Sequence, residues 1–355
     1  MVGASLKDVA MRAGVSVRTV SNVVNDFPQV APETRRRVQQ ALEELQYRPN
    51  AAARLLRAGR SGLVGLVIPE IDSPYFGELA SLLVQAAQQY GWTLLVDQTN
   101  GDPDRERLLL DGPPGQIVDG LVMSPWAVSP AELRRRADAV PLVLLGEQDA
   151  AGLIDHVSVD SVAAAAEATG HLIGLGRRRI AAIGVQPHLA NGTAQQRITG
   201  YRQALRAAGI PHDPALEMPV TALHRADGAR AMRELLEGGH APDAVFCFSD
   251  QLALGALRAA LDHGLAVPDD LAVCGFDDIE DGRYGTPSLT TVAPDKAGIA
   301  ERALSCLADR LKRPPTGAGR RRDPEVPSGD APPPARRIVA AHRLVVREST
   351  VGRPG

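Results

Sequence analysis

Residues 6–25 read LKDVAMRAGVSVRTVSNVVN, and this stretch decides how the first part of the chain folds. Apolar residues recur in it at helical spacing until Gly14 interrupts them, so a short first helix is predicted to end there. Ser16 can cap a second helix. The inward face of this second helix is formed by Val20, Val23 and Val24. Its outward face carries Val17, Arg18, Ser21, Asn22 and Asn25.

A third helix is predicted to begin at Pro32, which suits a first helical turn, and to end before Tyr47. Its buried stripe is Val38, Ala41, Leu42 and Leu45. Two helices joined by a tight glycine-containing turn form a helix-turn-helix, which fits the major groove of DNA. The geometry alone leaves open a three-helix bundle that binds no DNA.

Charge is unevenly distributed along the 355 residues, whose net charge is -3. Residues 1–60 contain ten basic and five acidic side chains, a balance of +5, which leaves -8 for the rest. A basic head on an acidic body favours contact of the head with a polyphosphate such as DNA.

Composition places the chain among globular proteins, with 44% hydrophobic and 23% charged residues. The length allows two or three folding units. No apolar run approaches the roughly 20 residues of a membrane-spanning helix, and the N-terminus lacks a secretion signal, so a cytoplasmic location is expected. Cys247, Cys274 and Cys306 have no metal-ligand spacing and are expected to be buried and reduced.

Beyond residue 61 the chain alternates apolar runs with helical segments, which predicts parallel sheets covered by helices. The runs are LVGLVIP, WTLLVD, VDGLVMSP, VPLVLLG, RIAAIGV, APDAVFCFSD and LAVCGFDD. Parallel sheets of this kind bind ligands at the carboxyl ends of their strands. The candidate contacts that follow such runs are Ser73, Tyr75, Phe76, Ser249 and Asp277, with Asp160 after VSV as a further candidate.

The head resembles that of the LacI family of bacterial regulators. The family pattern of Asp-Val-Ala, Ala-Gly-Val-Ser, Thr-Val-Ser and Val-Asn is met at residues 8–10, 13–16, 19–21 and 24–25. The resemblance implies that Val17 and Arg18 read bases, Arg18 by a bidentate contact to guanine. It implies phosphate contacts by Ser5, Ser16, Ser21, Asn25 and Thr34, and it adds Leu6 to the DNA-binding set. Asn22 stands where the family commonly has arginine, so base recognition there should differ.

Residues 49–60 are predicted to form a hinge of about two helical turns, too short to be stable in isolation. The family's hinge pattern is met by Asn50, Ala53, Arg54 and Leu56. The resemblance implies that Leu56 enters the minor groove at the operator centre, where unstacking bends the DNA. A flexible linker is the alternative.

The body resembles the effector domain of the same family and the periplasmic sugar-binding proteins. This implies two subdomains that face each other across a cleft and are linked by three crossings, the last near Thr291. The Arg-x-x-Gly-Tyr element is met by Arg197, Gly200 and Tyr201, so Arg197 is the implied clamp on sugar hydroxyls or a carboxylate. The implied effector contacts are Ser73, Tyr75, Phe76, Asp160, Thr193, Arg197, Leu223, Ser249 and Asp277.

Several positions depart from the family pattern. Ser249 and Ser161 stand where asparagine is common, and Leu223 stands where a stacking aromatic is common. The sequence DGPPGQ at residues 111–116 should break a helix that relatives continue. Residues 314–335, rich in proline, glycine and arginine, are predicted to be a disordered surface insertion.

The predicted architecture is an all-α three-helix head, residues 1–48, followed by the hinge and an α/β effector and dimerisation domain of two parallel-sheet subdomains, residues 61–355. The favoured function is a homodimeric repressor of carbohydrate-metabolism genes. It would bind a near-palindromic operator and respond to a small molecule. A sugar is favoured over a nucleobase or another metabolite.

Two other function classes are open to the sequence. Doubly wound α/β units often carry catalysis, but there is no GxGxxG, phosphate loop or GxSxG element, so neither an enzyme nor a cofactor is expected. A sugar-binding module with a vestigial head is the second, and the hinge pattern argues against it.

Overall fold

The computed structural model describes residues 4–24, 27–47, 61–111, 118–135, 140–148, 152–187, 192–312 and 334–352. The chain divides into two compact units, Met1–Ser61 and Gly62–Gly355. The predicted hinge pattern lies outside the described residues, and so does nearly all of the predicted insertion at 314–335.

The first unit contains three helices, as predicted: α1 (Leu6–Ala13), α2 (Val17–Val24) and α3 (Pro32–Glu44). Gly14 has a φ of 61°, a left-handed conformation that glycine adopts without strain, and it ends α1. The helices enclose a small core formed by Val9, Ala10, Ala13, Val20, Val23, Val38 and Ala41. Val24, Leu42 and Leu45 pack against this core while remaining partly exposed.

Side-chain caps fix the starts of the first two helices. Ser5 and Asp8 form a capping box, in which the Ser5 backbone N–H donates to the Asp8 carboxylate over 2.8 Å. Ser16 accepts a hydrogen bond from the Thr19 backbone N–H over 3.1 Å, as the sequence predicted. Arg37 of α3 donates to the carbonyl oxygen of Ala13, which ties α3 to the end of α1.

Two six-stranded sheets form the second unit. The first has the order β11-β5-β4-β3-β1-β2, and all its strand pairs are parallel. Its strands are β1 (Leu63–Ile68), β2 (Thr93–Gln98), β3 (Gly120–Met123), β4 (Leu142–Leu145), β5 (Asp155–Val159) and β11 (Arg337–Ala340). Its helices are α4 (Pro74–Gln88), α5 (Pro103–Asp111), α6 (Pro130–Arg135) and α12 (Lys296–Leu311).

The second sheet has the order β12-β10-β9-β8-β6-β7 and is parallel except where β12 meets β10. Its strands are β6 (Ile180–Val185), β7 (Glu217–Pro219), β8 (Ala244–Cys247), β9 (Ala272–Phe276), β10 (Thr290–Pro294) and β12 (His342–Val345). Its helices are α7 (Ser161–Gly174), α8 (Thr193–Ala207), α9 (Arg225–Glu237), α10 (Asp250–Asp262), α11 (Glu280–Tyr284) and α13 (Glu348–Val351), with a 3₁₀ turn at Pro214–Leu216.

The chain crosses between the two subdomains three times, which agrees with the prediction, but the last crossing is not near Thr291. The crossings follow β5, β10 and β11. Thr291 lies in β10, which precedes the second crossing, and the third passes through Ala341 between β11 and β12. The resemblance alone supplied the position near Thr291, and the apolar runs could not correct it because β11 and β12 are short edge strands of mixed polarity.

The buried residues of each subdomain form separate cores around the two sheets. Cys247, Cys274 and Cys306 are buried and unpaired with one another, as expected. Helix α5 ends at Asp111, where the sequence predicted the break. None of the helices in the described ranges is long and apolar enough to cross a membrane.

Candidate functional site

The outward face of α2 is the candidate DNA-contacting surface of the head. Val17 and Arg18 are exposed at the start of this helix, and Ser21 and Asn22 are half-buried one turn later. Val17 keeps 38% of its surface accessible, whereas Val20 and Val23 of the same helix are buried. This helix therefore presents the predicted base readers to solvent.

The other predicted DNA contacts of the head surround α2 in the sequence. Ser5 and Ser16 are exposed, and both already cap helices, whereas Thr34 is half-buried in the first turn of α3. Leu6 packs partly against the head core, so its side chain has a structural contact. The remaining predicted contacts lie outside the described residues: Asn25, Asn50, Ala53, Arg54 and Leu56.

A cleft lies between the two sheets of the second unit, where the carboxyl ends of their strands meet. It encloses about 1010 Å³, part of it open to solvent. It brings together eight of the nine predicted effector contacts: Ser73, Tyr75, Phe76, Thr193, Arg197, Leu223, Ser249 and Asp277.

Asp160 is the predicted contact that does not line the cleft. It follows β5 as expected, but its carboxylate caps α7 by accepting a hydrogen bond from the Ala163 backbone N–H over 2.9 Å. Its side chain is exposed. A position at a strand end therefore does not by itself place a side chain in the cleft. Asp160 instead accepts a hydrogen bond from one of the backbone N–H groups that have no partner within the first turn of the following helix.

Arg197 is buried at the floor of the cleft. Its guanidinium donates to the carbonyl oxygen of Phe248 and lies 3.5 Å from the ring centroid of Phe276. The closest guanidinium nitrogen is 3.7 Å from the carboxylate of Asp277. Within the described residues, Arg197 Nε is buried without a hydrogen-bond partner. Buried donors of this kind are normally satisfied, so the hydrogen bonding of Arg197 is incomplete in this arrangement of the cleft.

Asp277 is the carboxylate that faces Arg197. Burial raises the pKa of Asp277 to about 6, although the nearby Arg197 charge acts in the opposite direction. Burial likewise raises the pKa of the Tyr75 phenol, which feels the negative charges of Asp277 and Glu147. The cleft thus holds a carboxylate whose charge changes at mildly acidic pH.

Three aromatic rings form one wall of the cleft. The rings of Tyr75 and Phe76 meet edge to face with centroids 5.2 Å apart, and Phe76 meets Trp126 in the same way at 6.1 Å. The opposite side contributes Leu223, whose carbonyl oxygen accepts a hydrogen bond from the Ser249 hydroxyl over 2.9 Å. The cleft therefore has an extended aromatic surface on the side of Phe76 and Trp126, and the second subdomain contributes the ring of Phe276 to the lining.

Sequence reasoning missed several polar or aromatic residues of the cleft: Glu70, Ser124, Trp126, Glu147, Gln148 and Ser158. Glu70, Trp126 and Glu147 directly follow apolar runs that were recognised, so the strand-end rule applied to those runs would have found them. Ser158 faces the cleft from within β5, where only the strand pairing reveals its direction.

Side-chain hydrogen bonds span the cleft at two places, around Glu147 and around Glu70. Thr193 donates to Glu147 over 2.6 Å, and Glu147 also accepts from the Ser161 hydroxyl over 2.8 Å. Glu70 and His224 are hydrogen-bonded at the second place, with 2.9 Å between Oε2 and Nε2. Each of these hydrogen bonds joins a residue of the first subdomain to one of the second.

Comparisons with known proteins agree with this geometry. Residues 5–50 match the model of the bacterial regulatory proteins of the lacI family, and residues 169–350 match a periplasmic binding protein-like domain. The chain is 33% identical over 354 residues to the HTH-type transcriptional regulator DegA of Bacillus subtilis, with 98% of each chain covered. It is 34% identical over 317 residues to the HTH-type transcriptional repressor PurR of Klebsiella pneumoniae, covering 87% and 90%.

Solved structures extend the comparison to the fold. A putative LacI-family regulator from Sanguibacter keddieii is 41% identical, with a TM-score of 0.72 over 83% of this chain and 100% of that chain. The complex of the regulator CelR with cellobiose is 30% identical, with a TM-score of 0.68 over 98% and 99%. The lac repressor dimer bound to operator and the anti-inducer ONPF is 25% identical, with a TM-score of 0.81 over 99% and 100%.

Proposed function

This chain belongs to the LacI family of bacterial regulatory proteins and is a DNA-binding transcriptional regulator. From that premise we propose that it is a repressor and that a sugar bound in the effector cleft either weakens or strengthens its binding to the operator. The observation that carries the proposal is the pairing of one aromatic wall with polar groups on the other sides of the same cleft. The regulated genes would then serve carbohydrate metabolism.

The DNA-binding half of the proposal rests on the outward face of α2. Arg18 is exposed there, and an arginine at the start of a recognition helix can donate two hydrogen bonds to guanine. Ser16 and Ser5 are exposed at helix starts, where hydroxyl and backbone donors suit phosphate oxygens. Leu56 in the hinge completes the proposed interface as the minor-groove wedge.

The sugar half rests on the chemistry of the cleft. A sugar ring has an apolar face that suits the Phe76 and Trp126 wall, and hydroxyls that suit Asp277, Glu147 and Arg197. The lining contains more carboxylates than cations, so it disfavours phosphorylated or carboxylated ligands. CelR, a relative that covers nearly the whole chain, binds cellobiose.

A nucleobase is the second candidate effector, and the similarity of the chain to PurR repressors is the observation that favours it. A planar base stacks best between two flat surfaces. On the other side of the cleft Leu223 is aliphatic, and the guanidinium of Arg197 covers the ring of Phe276 at 3.5 Å from its centroid. This favours a ligand that stacks on one face and donates hydroxyls elsewhere.

Effector control requires that the cleft favours different arrangements of the subdomains with and without ligand. The hydrogen-bonded pairs Glu147–Thr193 and Glu70–His224 are contacts that a ligand between the sheets would strengthen or replace. A coupling of about 1 to 3 kcal/mol changes operator affinity about 5- to 150-fold. A homodimer on a near-palindromic site, as in the lac repressor dimer structure, is the proposed active form.

The test is footprinting of the full chain on DNA upstream of its own gene cluster, with and without cellobiose, other sugars and nucleobases. We expect a discrete palindromic footprint whose half-protection concentration changes at least about fivefold with one sugar. Absence of any discrete footprint would contradict the repressor function. A footprint that responds to a nucleobase and to no sugar would overturn the sugar assignment alone.

A further inference from the structure

The carboxylate of Glu106 lies behind the cleft wall without lining the cleft. Glu106 belongs to α5 and is fully buried. Its two oxygens accept hydrogen bonds from three consecutive backbone N–H groups, those of Trp126 over 2.8 Å and of Ala127 and Val128 over 2.9 Å each. Three fixed donors around one buried carboxylate form an anion cradle made of backbone.

The same carboxylate also accepts a hydrogen bond from the loop that follows β2. The hydroxyl of Thr99 donates to Glu106 over 3.5 Å and accepts from the Gly101 backbone N–H over 3.3 Å. A Cβ on Gly101 would lie 3.4 Å from Cε3 of Trp126, so this loop is in contact with the indole. Phe76 contacts the indole from another direction, at an interplanar angle of 61°.

We propose that Glu106 is a positioning residue of the effector site, which fixes the indole of Trp126 on the cleft wall by holding the backbone of residues 126–128. This inference rests on the proposed function only for the nature of the ligand that meets the indole. Glu106 itself does not touch the cleft.

A carboxylate is required at this position because both of its oxygens act as acceptors. A glutamine has the same length but presents one oxygen and one NH₂ group. Its NH₂ group would face backbone N–H donors, so at least one buried donor would lose its partner. The backbone of 126–128 would then relax, and the indole would lose its fixed orientation.

Glu132 supplies a matched control in the neighbouring helix. It accepts hydrogen bonds from the Ser129 backbone N–H and hydroxyl over 2.8 and 2.7 Å, and from Arg107 over 2.7 Å. Glu132→Gln therefore removes a hydrogen-bonded carboxylate next to the same loop, one whose side chain is 31% exposed where Glu106 is fully buried. It leaves the three hydrogen bonds to Glu106 intact.

The chain contains two tryptophans, so replacing Trp92 leaves Trp126 as the sole source of tryptophan fluorescence. In a Trp92→Phe background, Glu106→Gln should increase acrylamide quenching of Trp126 at least about twofold and speed amide exchange of residues 126–128. Glu132→Gln should change neither. Both measurements need no ligand, so they decide the positioning role independently of the sugar assignment.

A folded Glu106→Gln protein with unchanged quenching and exchange would overturn the proposal. If Glu106→Gln does not fold, Glu106→Asp keeps the charge but is one methylene shorter, and it should show an intermediate increase in both readings. Unchanged readings for that variant would equally contradict the proposal.

Titration with cellobiose forms the second arm. If the parent protein binds cellobiose, Glu106→Gln should weaken binding about tenfold or more and Glu132→Gln less than about twofold. Equal affinity of the parent and Glu106→Gln would contradict the role of Glu106. If the parent binds neither cellobiose nor any other sugar, the sugar assignment fails, and the quenching data still decide the positioning role.

Discussion

Arg197 makes structural contacts and is also a proposed ligand contact. Its hydrogen bond to the Phe248 carbonyl and its position over the Phe276 ring hold the floor of the cleft together. Arg197 and the adjacent Asp277 also line the cleft, where we propose that a ligand contacts them. Substitutions at this residue must therefore separate loss of folding from loss of recognition.

Arg197→Lys should remove the effector response and leave operator affinity within about twofold of the parent, because lysine keeps the charge but lacks the planar fork. Arg202→Lys is the control on the same helix, where the arginine is exposed and pairs with Glu217. Thermal shift with the effector and gel shift with operator measure the two properties. A parallel loss of operator binding in Arg197→Lys would show that the residue is mainly structural.

Effector affinity should depend on pH through Asp277. Because burial raises its pKa to about 6, the group is ionised above pH 6 and becomes protonated below it. Ligand hydroxyls donate to the ionised form, so affinity should fall as pH drops through 6, approaching tenfold per pH unit below that point. Calorimetry from pH 5 to 8 tests this. Asp277→Asn should bind more weakly with a flatter profile, and an equally steep profile would exclude Asp277 as its source.

Helices α7 and α8 show how one close approach positions the effector site. A Cβ on Gly200 of α8 would lie 2.2 Å from the carbonyl oxygen of Val162 in α7. Tyr201 donates to the Ile180 carbonyl over 2.7 Å, which fastens the same helix to β6. The Arg-x-x-Gly-Tyr element is thus a packing device that directs Arg197 into the cleft.

Gly200→Ala should lower the free energy of unfolding by about 1 to 3 kcal/mol or more, because α7 and α8 would have to separate. Gly170→Ala is the control: it lies in α7 with no atom within 4 Å of the new Cβ. This control should raise stability by up to about 1 kcal/mol through helix propensity. Urea unfolding of the two variants is the measurement. Similar changes in both would contradict the packing account.

Helix α2 determines sequence recognition if the proposed function is correct. Arg18→Ala should cost about 1 to 3 kcal/mol on the operator and little on unrelated DNA. Arg36→Ala makes the same charge change on an exposed residue of α3 and should affect both DNAs alike. Gel shifts on operator and scrambled duplexes give the comparison. If Arg18→Ala weakened binding to both duplexes equally, Arg18 would not be a residue that reads bases.

At the scale of the whole effector unit, two sheets meet across a cleft and are linked by three crossings. The pairs Glu147–Thr193 and Glu70–His224 join the subdomains directly. The second pair is the more exposed, with 40% of the His224 side chain accessible, so it should contribute only modestly. Substitutions in the Glu70–His224 pair should therefore change the equilibrium between open and closed arrangements of the cleft by a small amount.

Glu70→Gln and His224→Gln should each weaken effector binding about 1.5- to 5-fold, the range expected of an exposed pair. The double variant should be no weaker than the worse single variant, because both substitutions remove the same contact. Calorimetry on the parent, the two single variants and the double variant measures this coupling. Additive losses would show that the two residues act separately.

The sequence by itself determined the three helices of the head and the parallel α/β character of the body. Capping residues such as Ser16, the left-handed Gly14 and the period of apolar residues act over a few positions, so they can be read without knowing the rest of the fold. The same local signals predicted that most of the candidate effector contacts lie at strand ends.

Only the tertiary structure decided which strand-end residues enter the cleft. Asp160 caps a helix instead, while Glu147 meets Thr193, a residue 46 positions away. Glu106 holds the backbone of Trp126 from 20 positions away. The positions of the last two crossings also depended on the short edge strands β11 and β12, which lie near the end of the chain and pair with strands distant in sequence. The physical reason is that the direction of a side chain at a strand end depends on packing between distant segments, which no local pattern encodes.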